Sequence, residues 1–354
     1  MRTRDVWRIG RAGLLGRLAR RAEGLPDPGP GEARVAVKAI GLNFADVFAC
    51  LGLYSATPPG AFVPGLEFAG VVESLGAPSE GFGPPSAQVP QPGDPVIGLT
   101  RFGAYATALN ADARYLRPIP AGWTFAEAAA FPVQALTAWY GLVELGALRR
   151  RAVVLLHSAA GGVGLNALGI LTHFDARVVA TVGHAAKREF LTERFGLPPD
   201  RIVVRDRCAF GRQLDDALAS LGGDGFDLVF DALAGPYFEP AYARLRPEGR
   251  LVLYGAADLM PAGNRTKYVR LAFRYLRRPR LDPLRMISEN KSVMAFNLIW
   301  LWDRIDRLAS LYAQASAVLR HAPFVGRRFD FAEAPAALRY LQSGESVGKV
   351  VLEV

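Results

Sequence analysis

Between residues 33 and 124, apolar and polar residues alternate in short runs separated by turns. ARVAVKAIG (33–41), EFAGVVESLG (67–76), DPVIGLT (94–100) and GAYATALN (103–110) show the two-residue period of half-buried strands. APSEGFGPPSAQVPQPGDP (77–95) carries six prolines, which predicts a surface loop before the next strand. The region therefore reads as a small β-rich domain. At Thr124 the texture changes: TFAEAAAFPVQALTAWYGLVELG (124–146) has helical spacing. Thr124 is placed to cap it, with Glu127 at the capping-box position.

A strand–helix series follows. AVVLLH (152–157), RVVATV (177–182), RIVV (201–204), DLVFDAL (227–233) and RLVLYG (250–255) are continuous apolar runs, as parallel strands buried on both faces require. Helical segments at 163–174, 185–195 and 211–221 separate the first four, which predicts an α/β doubly wound parallel sheet. KSVMAFNL (291–298) reads as a sixth strand, 301–320 as a helix, and VGKVVLEV (347–354) as a closing strand returning to the β-rich part.

The turn after the first of these strands is built of small residues: Ala159, Ala160, Gly161, Gly162, Val163 and Gly164. A dinucleotide fold needs such residues there. The backbone must bend sharply, approach a pyrophosphate and let the next helix pack closely, while that helix presents free N–H groups and a positive dipole end. A bound dinucleotide outweighs a bare strand–helix turn because a buried strand precedes it and a second strand follows at the right distance. NAD readers commonly place an acid about 20 residues beyond the glycines. RVVATVGHAAKREF (177–190) has none before Glu189; instead Gly183, His184, Lys187 and Arg188 stand where a 2′-phosphate would lie. That favours NADPH over NADH. The plainer alternative is that Lys187 and Arg188 are solvated helix residues.

Length and composition narrow the class. At 354 residues the chain is long enough for two cores. The arginine-rich first 24 residues hold no apolar stretch of signal length, and no run of 18 apolar residues occurs, so a cytoplasmic protein is the expectation. Cys50 and Cys208 are too few for a disulfide framework or a four-cysteine zinc lobe. The net charge of +9 concentrates locally in 264–285, without any nucleic-acid motif.

GLNFADVFACLGLY (41–54), PGLEFAGVV (64–72) and the glycine turn together resemble the medium-chain dehydrogenase/reductase superfamily, in its zinc-free quinone oxidoreductase branch. LNFADVFACLGLY and RRPRLDPLRMISENKSVMAFNLIWLWDR (277–304) further resemble the VAT-1-like group of that branch. The resemblance implies a Rossmann NADP-binding domain over 125–300 and a GroES-like catalytic domain over 1–124, completed by 301–354. Zinc-containing members carry a cysteine ligand where Asn43 stands and a histidine where Leu66 stands, so no catalytic zinc is expected. The four histidines (157, 173, 184 and 321) have no ligand spacing.

The resemblance assigns Asn43, Asp46 and Tyr54 to the vicinity of the nicotinamide. Asn43 and Tyr54 have donors for a developing oxyanion, while Asp46 is expected to orient neighbours, with a turn or cap carboxylate as the alternative. Glu67 is expected to pair with an arginine across the cleft. Matching cofactor contacts are Thr137, Ala160, Gly161, Gly162, Val163, Gly183, His184 and Lys187 in the first part of the nucleotide domain. Asp231 and Gly235 close the fourth-strand turn. Tyr254, Gly255, Phe296, Asn297 and Lys349 match later contacts. Many relatives have a tyrosine near the end of the third strand; RIVVRDR (201–207) has none, and Arg205 is its expected substitute.

The implied function is NADPH-dependent hydride transfer to a quinone or α,β-unsaturated carbonyl, in a homodimer. An enoyl-thioester reductase differs only in acceptor. The rival from another class is a nucleotide-regulated lipid or membrane-surface protein, motivated by Lys267, Arg270, Arg274 and Arg277 at helical spacing.

Overall fold

The computed structural model describes residues 2–78, 90–261, 263, 272–273 and 275–354. The structure opens with a hairpin of β1 (Arg2–Ile9) and β2 (Leu18–Leu25). The first sheet then takes β3 (Glu32–Gly41), β4 (Glu67–Leu75), β5 (Pro95–Leu99), β6 (Ala108–Asp112) and β7 (Leu116–Pro118). The second takes β8 (Val153–Leu156), β9 (Arg177–Val182), β10 (Ile202–Val204), β11 (Phe226–Asp231), β12 (Leu245–Leu253) and β13 (Ser292–Ala295). Finally β14 (Val325–Asp330) and β15 (Lys349–Glu353) rejoin the first sheet.

The second sheet is parallel throughout, in the order β10-β9-β8-β11-β12-β13. The order reverses at β8, and the crevice at such a switch point is where open α/β sheets bind ligands. Helices cover its faces because β8 to β11 are apolar on both sides; Val153, Leu155 and Val229 face one core, and Val154, Leu156 and Phe230 another. The first sheet runs β14-β15-β3-β4-β5-β7, with β6 also paired to β3. This is a Rossmann-type sheet beside a GroES-like domain.

Thr124 caps the helix Phe125–Ala129 in a reciprocal capping box with Glu127, as the spacing predicts. Other elements differ from the sequence reading. The strand expected at 103–110 forms later, at β6, because Ala104 to Thr107 bond across to the hairpin and to the 62–65 segment. The arginine-rich start is itself structured. Val6, Trp7 and Ile9 are buried, Trp7 Nε1 donates to Phe331 O at 2.7 Å, and Arg4 and Arg8 pair with Glu23. Residues 301–354 divide between the two cores: Leu308, Leu311 and Ala315 of the helix Ile305–Val318 join the core that contains Leu156, and the chain re-enters the first sheet at β14.

A buried polar cluster ties the halves together. Lys349 Nζ on β15 donates to Glu67 Oε1 on β4 at 2.5 Å and to Asn43 Oδ1 at 2.9 Å. Asn43 Nδ2 donates to Glu67 Oε1 (2.9 Å) and Gly41 O (3.3 Å), while Asn43 Oδ1 also accepts from Gln134 Nε2 (2.7 Å). Glu67 Oε2 accepts the Val133 N–H at 2.8 Å. Val133 and Gln134 begin the helix Pro132–Trp139, whose Leu136 and Trp139 belong to the same core as Leu156. Burial lowers the Lys349 pKa and the Glu67 carboxylate opposes that fall. Removing one partner of such a pair strands the other charge, which typically costs about 3–5 kcal/mol. Glu67→Gln is therefore expected to lower the urea unfolding free energy by about that amount, and Glu67→Leu with Lys349→Met to recover most of it. Equal stability of Glu67→Gln and wild type would show that the ammonium does not depend on Glu67.

Candidate active site

A cavity of about 800 Å³ lies between the sheets, at the C-terminal ends of the Rossmann strands. Thr137, Ala160 to Gly164, Gly183, His184, Lys187, Arg205, Tyr254, Gly255, Phe296, Asn297 and Lys349 line it, as do Asn43 and Tyr54; Asp46, Arg188, Asp231 and Gly235 do not. One wall is the glycine turn. Gly161 closes a tight turn by donating to Ser158 O at 2.9 Å, and Ser158 holds a left-handed φ of 54°. A Cβ at Gly164 would lie 2.5 Å from both the Ser158 and Ala159 carbonyl oxygens, so only glycine lets the helix Gly162–His173 seat against its strand. A Cβ at Gly162 would meet Gln134 Oε1 at 3.0 Å. First-turn N–H groups of that helix lack intrahelical acceptors and carry its positive dipole end.

The end of β9 supplies the second subsite. Arg205 lies over Gly183, its Nη2 3.3 Å from where a Cβ would stand, so any side chain at 183 would crowd the guanidinium. Arg205 Nη1 donates to Thr181 Oγ1 (3.0 Å), and the Tyr237 ring lies 5.5 Å from the guanidinium carbon. Thr181 Oγ1 also contacts His157 Nδ1 at 3.0 Å. Burial, with the Arg205 charge adding, pushes the His157 pKa down to about 3, so this imidazole is neutral. Burial likewise lowers Lys187 to about 8, and Arg205 contributes to that fall. Two cations thus face one cavity, and each disfavours the other's charge. His184 lines the cavity beside them, whereas Arg188 is exposed and outside it.

At the opposite end, Tyr54 OH donates to Asn297 Oδ1 at 2.8 Å, joining the GroES-like half to the segment after β13. Burial pushes the Tyr54 pKa up to about 12, so the phenol keeps its proton. Tyr254 stacks on Phe230 with centroids 4.2 Å apart, and Phe296 meets Tyr140 edge-on at 5.0 Å; with Thr137 and Gly255 they form an apolar wall. Asp231 sits behind this wall, accepting from Leu233 N (2.7 Å) and Ala234 N (3.2 Å), and burial raises its pKa to about 6.

Some expected roles change with the geometry. Both Asn43 amide hydrogens go to Glu67 and Gly41 O, so the donor expected for the substrate is engaged inside the protein. For Asp46 the cap alternative holds: it accepts from Asn43 N (2.8 Å) and Tyr105 OH (3.2 Å), and burial raises its pKa to about 7. Glu67 pairs with Lys349, not an arginine, so the Lys349 charge is met inside the protein. Sequence reasoning missed Gln134, Tyr237 and the Gly344–Gly348 loop, all of which line the cavity. The signal for the loop was its two flanking glycines. Of the basic segment, Lys267, Arg270 and Arg274 lie outside the described residues, and Arg277 packs on the Phe273 ring at 4.0 Å. No described helix is long and apolar enough to cross a membrane. Among the described residues, no group of three or more His, Cys, Asp or Glu is placed to hold a metal.

Comparison with known proteins agrees with this architecture. Residues 29–137 match the alcohol dehydrogenase GroES-like domain, and 205–352 match a family described as zinc-binding dehydrogenase. The human synaptic vesicle membrane protein VAT-1 homolog is 31% identical over 95% of this chain and 82% of its own length. A mycobacterial protein solved in complex with NADPH superposes with a TM-score of 0.81 at 26% identity, over 99% of this chain and 100% of that one. The quinone oxidoreductase of Thermus thermophilus, also solved with NADPH, gives a TM-score of 0.72 at 28% identity, over 99% of this chain and 100% of that one. A chain with this pair of domains, this cavity and these relatives belongs to the medium-chain dehydrogenase/reductase superfamily of oxidoreductases, in the branch of the quinone oxidoreductases and VAT-1 homologues.

Proposed function

We propose that the protein is an NADPH-dependent reductase that delivers hydride to a quinone or an α,β-unsaturated carbonyl without a metal ion. The observation that carries this reading is that Lys187 and Arg205, whose guanidinium lies over Gly183, line the same cavity as the glycine turn and Tyr54. A 2′-phosphate is close to dianionic at neutral pH and adds to the countercharge this pair receives from Asp231, Asp258 and Glu345. The glycine turn and the helix dipole suit a pyrophosphate. When bound, the reduced nicotinamide supplies the hydride.

This chain's residues do the positioning and the electrostatics. The apolar wall of Tyr254 and Phe296 keeps water from one side of the cleft, which strengthens every charge interaction inside it. Tyr54 holds the donor for the acceptor's oxygen. Rotation about its C–O bond turns the proton from Asn297 toward a developing oxyanion. Asn43 lines the cavity but spends its amide inside the protein, holding the Lys349–Glu67 pair in register. The donor set supports metal independence: Leu66 offers no ligand atom, and the Asn43 carbonyl is already occupied by Lys349 and Gln134.

Steady-state oxidation of NADPH by 1,4-naphthoquinone is the direct test. Tyr54→Phe is expected to lower kcat by about 10²-fold, the usual loss for one oxyanion donor. An unchanged kcat would remove Tyr54 from the chemistry. A second prediction concerns pH. Lys187 is protonated below about 8 and loses its charge above it. NADPH affinity is then full at pH 7 and falls about tenfold as pH rises through 8 and beyond, the worth of one charge-assisted hydrogen bond. Bound phosphate holds the proton on, so the fall extends upward from 8. NADH affinity stays flat over the same range. Parallel profiles for the two dinucleotides would contradict the assignment.

A further inference from the structure

Lys187 lies on the first turn of the helix Ala185–Phe195 in the nucleotide half, yet both oxygens it holds belong to the other half. Its ammonium donates to Gly344 O at 2.6 Å and Ser346 O at 2.7 Å, on the loop between the helix Ala334–Ser343 and β15. That loop is shaped by its end residues. Gly344 and Gly348 have φ of 76° and 62°, and a Cβ at 348 would fall 2.4 Å from Phe324 O. At its far end, Gly348 N–H donates to Ala160 O at 2.7 Å, and Gly348 forms a parallel bridge with Gly161. One short loop of the GroES-like half is therefore laid against both the phosphate-binding lysine and the phosphate-binding turn.

An ammonium has three N–H donors. The two carbonyls take two of them and, being neutral, supply no countercharge. Lys187, Gly344, Ser346, Gly348 and Arg205 all line the cavity, so a group bound there reaches the remaining donor. Glu345, exposed on the loop, favours the charged lysine, while Arg205 opposes it.

We propose that Lys187 is a two-sided clamp: its ammonium joins the 2′-phosphate of the dinucleotide to the Gly344–Gly348 loop, so that phosphate bound by one half fastens the other half over the glycine turn. This rests on the dinucleotide reading above. Lys187 is thereby a positioning residue as well as a phosphate ligand. The 2′-phosphate then affects order at the turn itself, not only affinity at the far end of the adenosine.

Hydrogen exchange followed by mass spectrometry on the full chain tests this without turnover. The probes are adenosine 2′,5′-bisphosphate and 5′-AMP, each at saturation. The bisphosphate is expected to slow exchange over residues 345–348 about tenfold, the worth of one charge-assisted hydrogen bond, while 5′-AMP is not. Lys187→Met should abolish the slowing. Glu345→Gln, at an exposed position, should retain it at pH 7 but lose it at a lower pH than wild type. Tight binding of the bisphosphate with unchanged loop exchange would overturn the clamp and leave the dinucleotide reading intact. Persistence of the slowing in Lys187→Met would overturn it as well. Failure of the bisphosphate to bind wild-type protein at all would sink both.

Discussion

Lys187 and Arg205 repel each other at the edge of a largely apolar cavity, and the site around them is arranged to tolerate that. Gly183 leaves space for the guanidinium, Thr181 and the Tyr237 ring hold it, and two carbonyls from across the cleft hold the ammonium. Burial disfavours both charges. Such an arrangement lowers stability unless an anion completes it, and perturbed groups in a cleft of this kind point to a binding site. On the proposed reading, the glycine turn, the switch point at β8 and the cross-cleft loop would receive the rest of a dinucleotide whose 2′-phosphate sits on this pair.

The Glu67–Lys349–Asn43–Gln134 cluster is arranged in the opposite way. Every charge there is met inside the protein, at distances from 2.5 to 2.9 Å. A satisfied polar network is rigid and directional, which an apolar patch of the same size is not. It fixes how the GroES-like sheet abuts the helix Pro132–Trp139 and so sets the width of the cavity between them. Lys187 and Arg205 offer their charge to the cavity, whereas Lys349, which also lines it, is held by Glu67 and Asn43 and keeps the walls in place.

Much of this was legible in the chain. Parallel strands buried on both faces read as continuous apolar runs, and the strands from 153 to 253 fell where such runs were. Residues lining the cavity were legible because a backbone shaped to approach phosphate closely excludes side chains, and because the acid expected after β9 was replaced by Gly183 and Lys187. What escaped was non-local. The hairpin β1–β2 hid behind arginines whose partners, Glu23 and Asp5, emerge only once the strands pair. The engagement of Asn43's amide by Glu67, and of Lys349's charge by the same carboxylate, depends on residues 24 and 306 positions from Asn43. Loop Gly344–Gly348 carries backbone carbonyls as its functional groups, and those leave no mark in side-chain identity.

The central claim is that a phosphate at the 2′ position is bound as a dianion between Lys187 and Arg205. Phosphorus NMR of NADP⁺ with the protein reads this directly, since the 2′-phosphate resonance reports its own ionisation. Free in solution such a phosphate dianion takes up a proton near pH 6, on the order of the usual phosphomonoester value. The account predicts that in the complex the resonance stays at its dianionic position down to about pH 5, because two cations oppose protonation. A bound 2′-phosphate that titrates like the free one, with only the pyrophosphate resonances shifted, would contradict it.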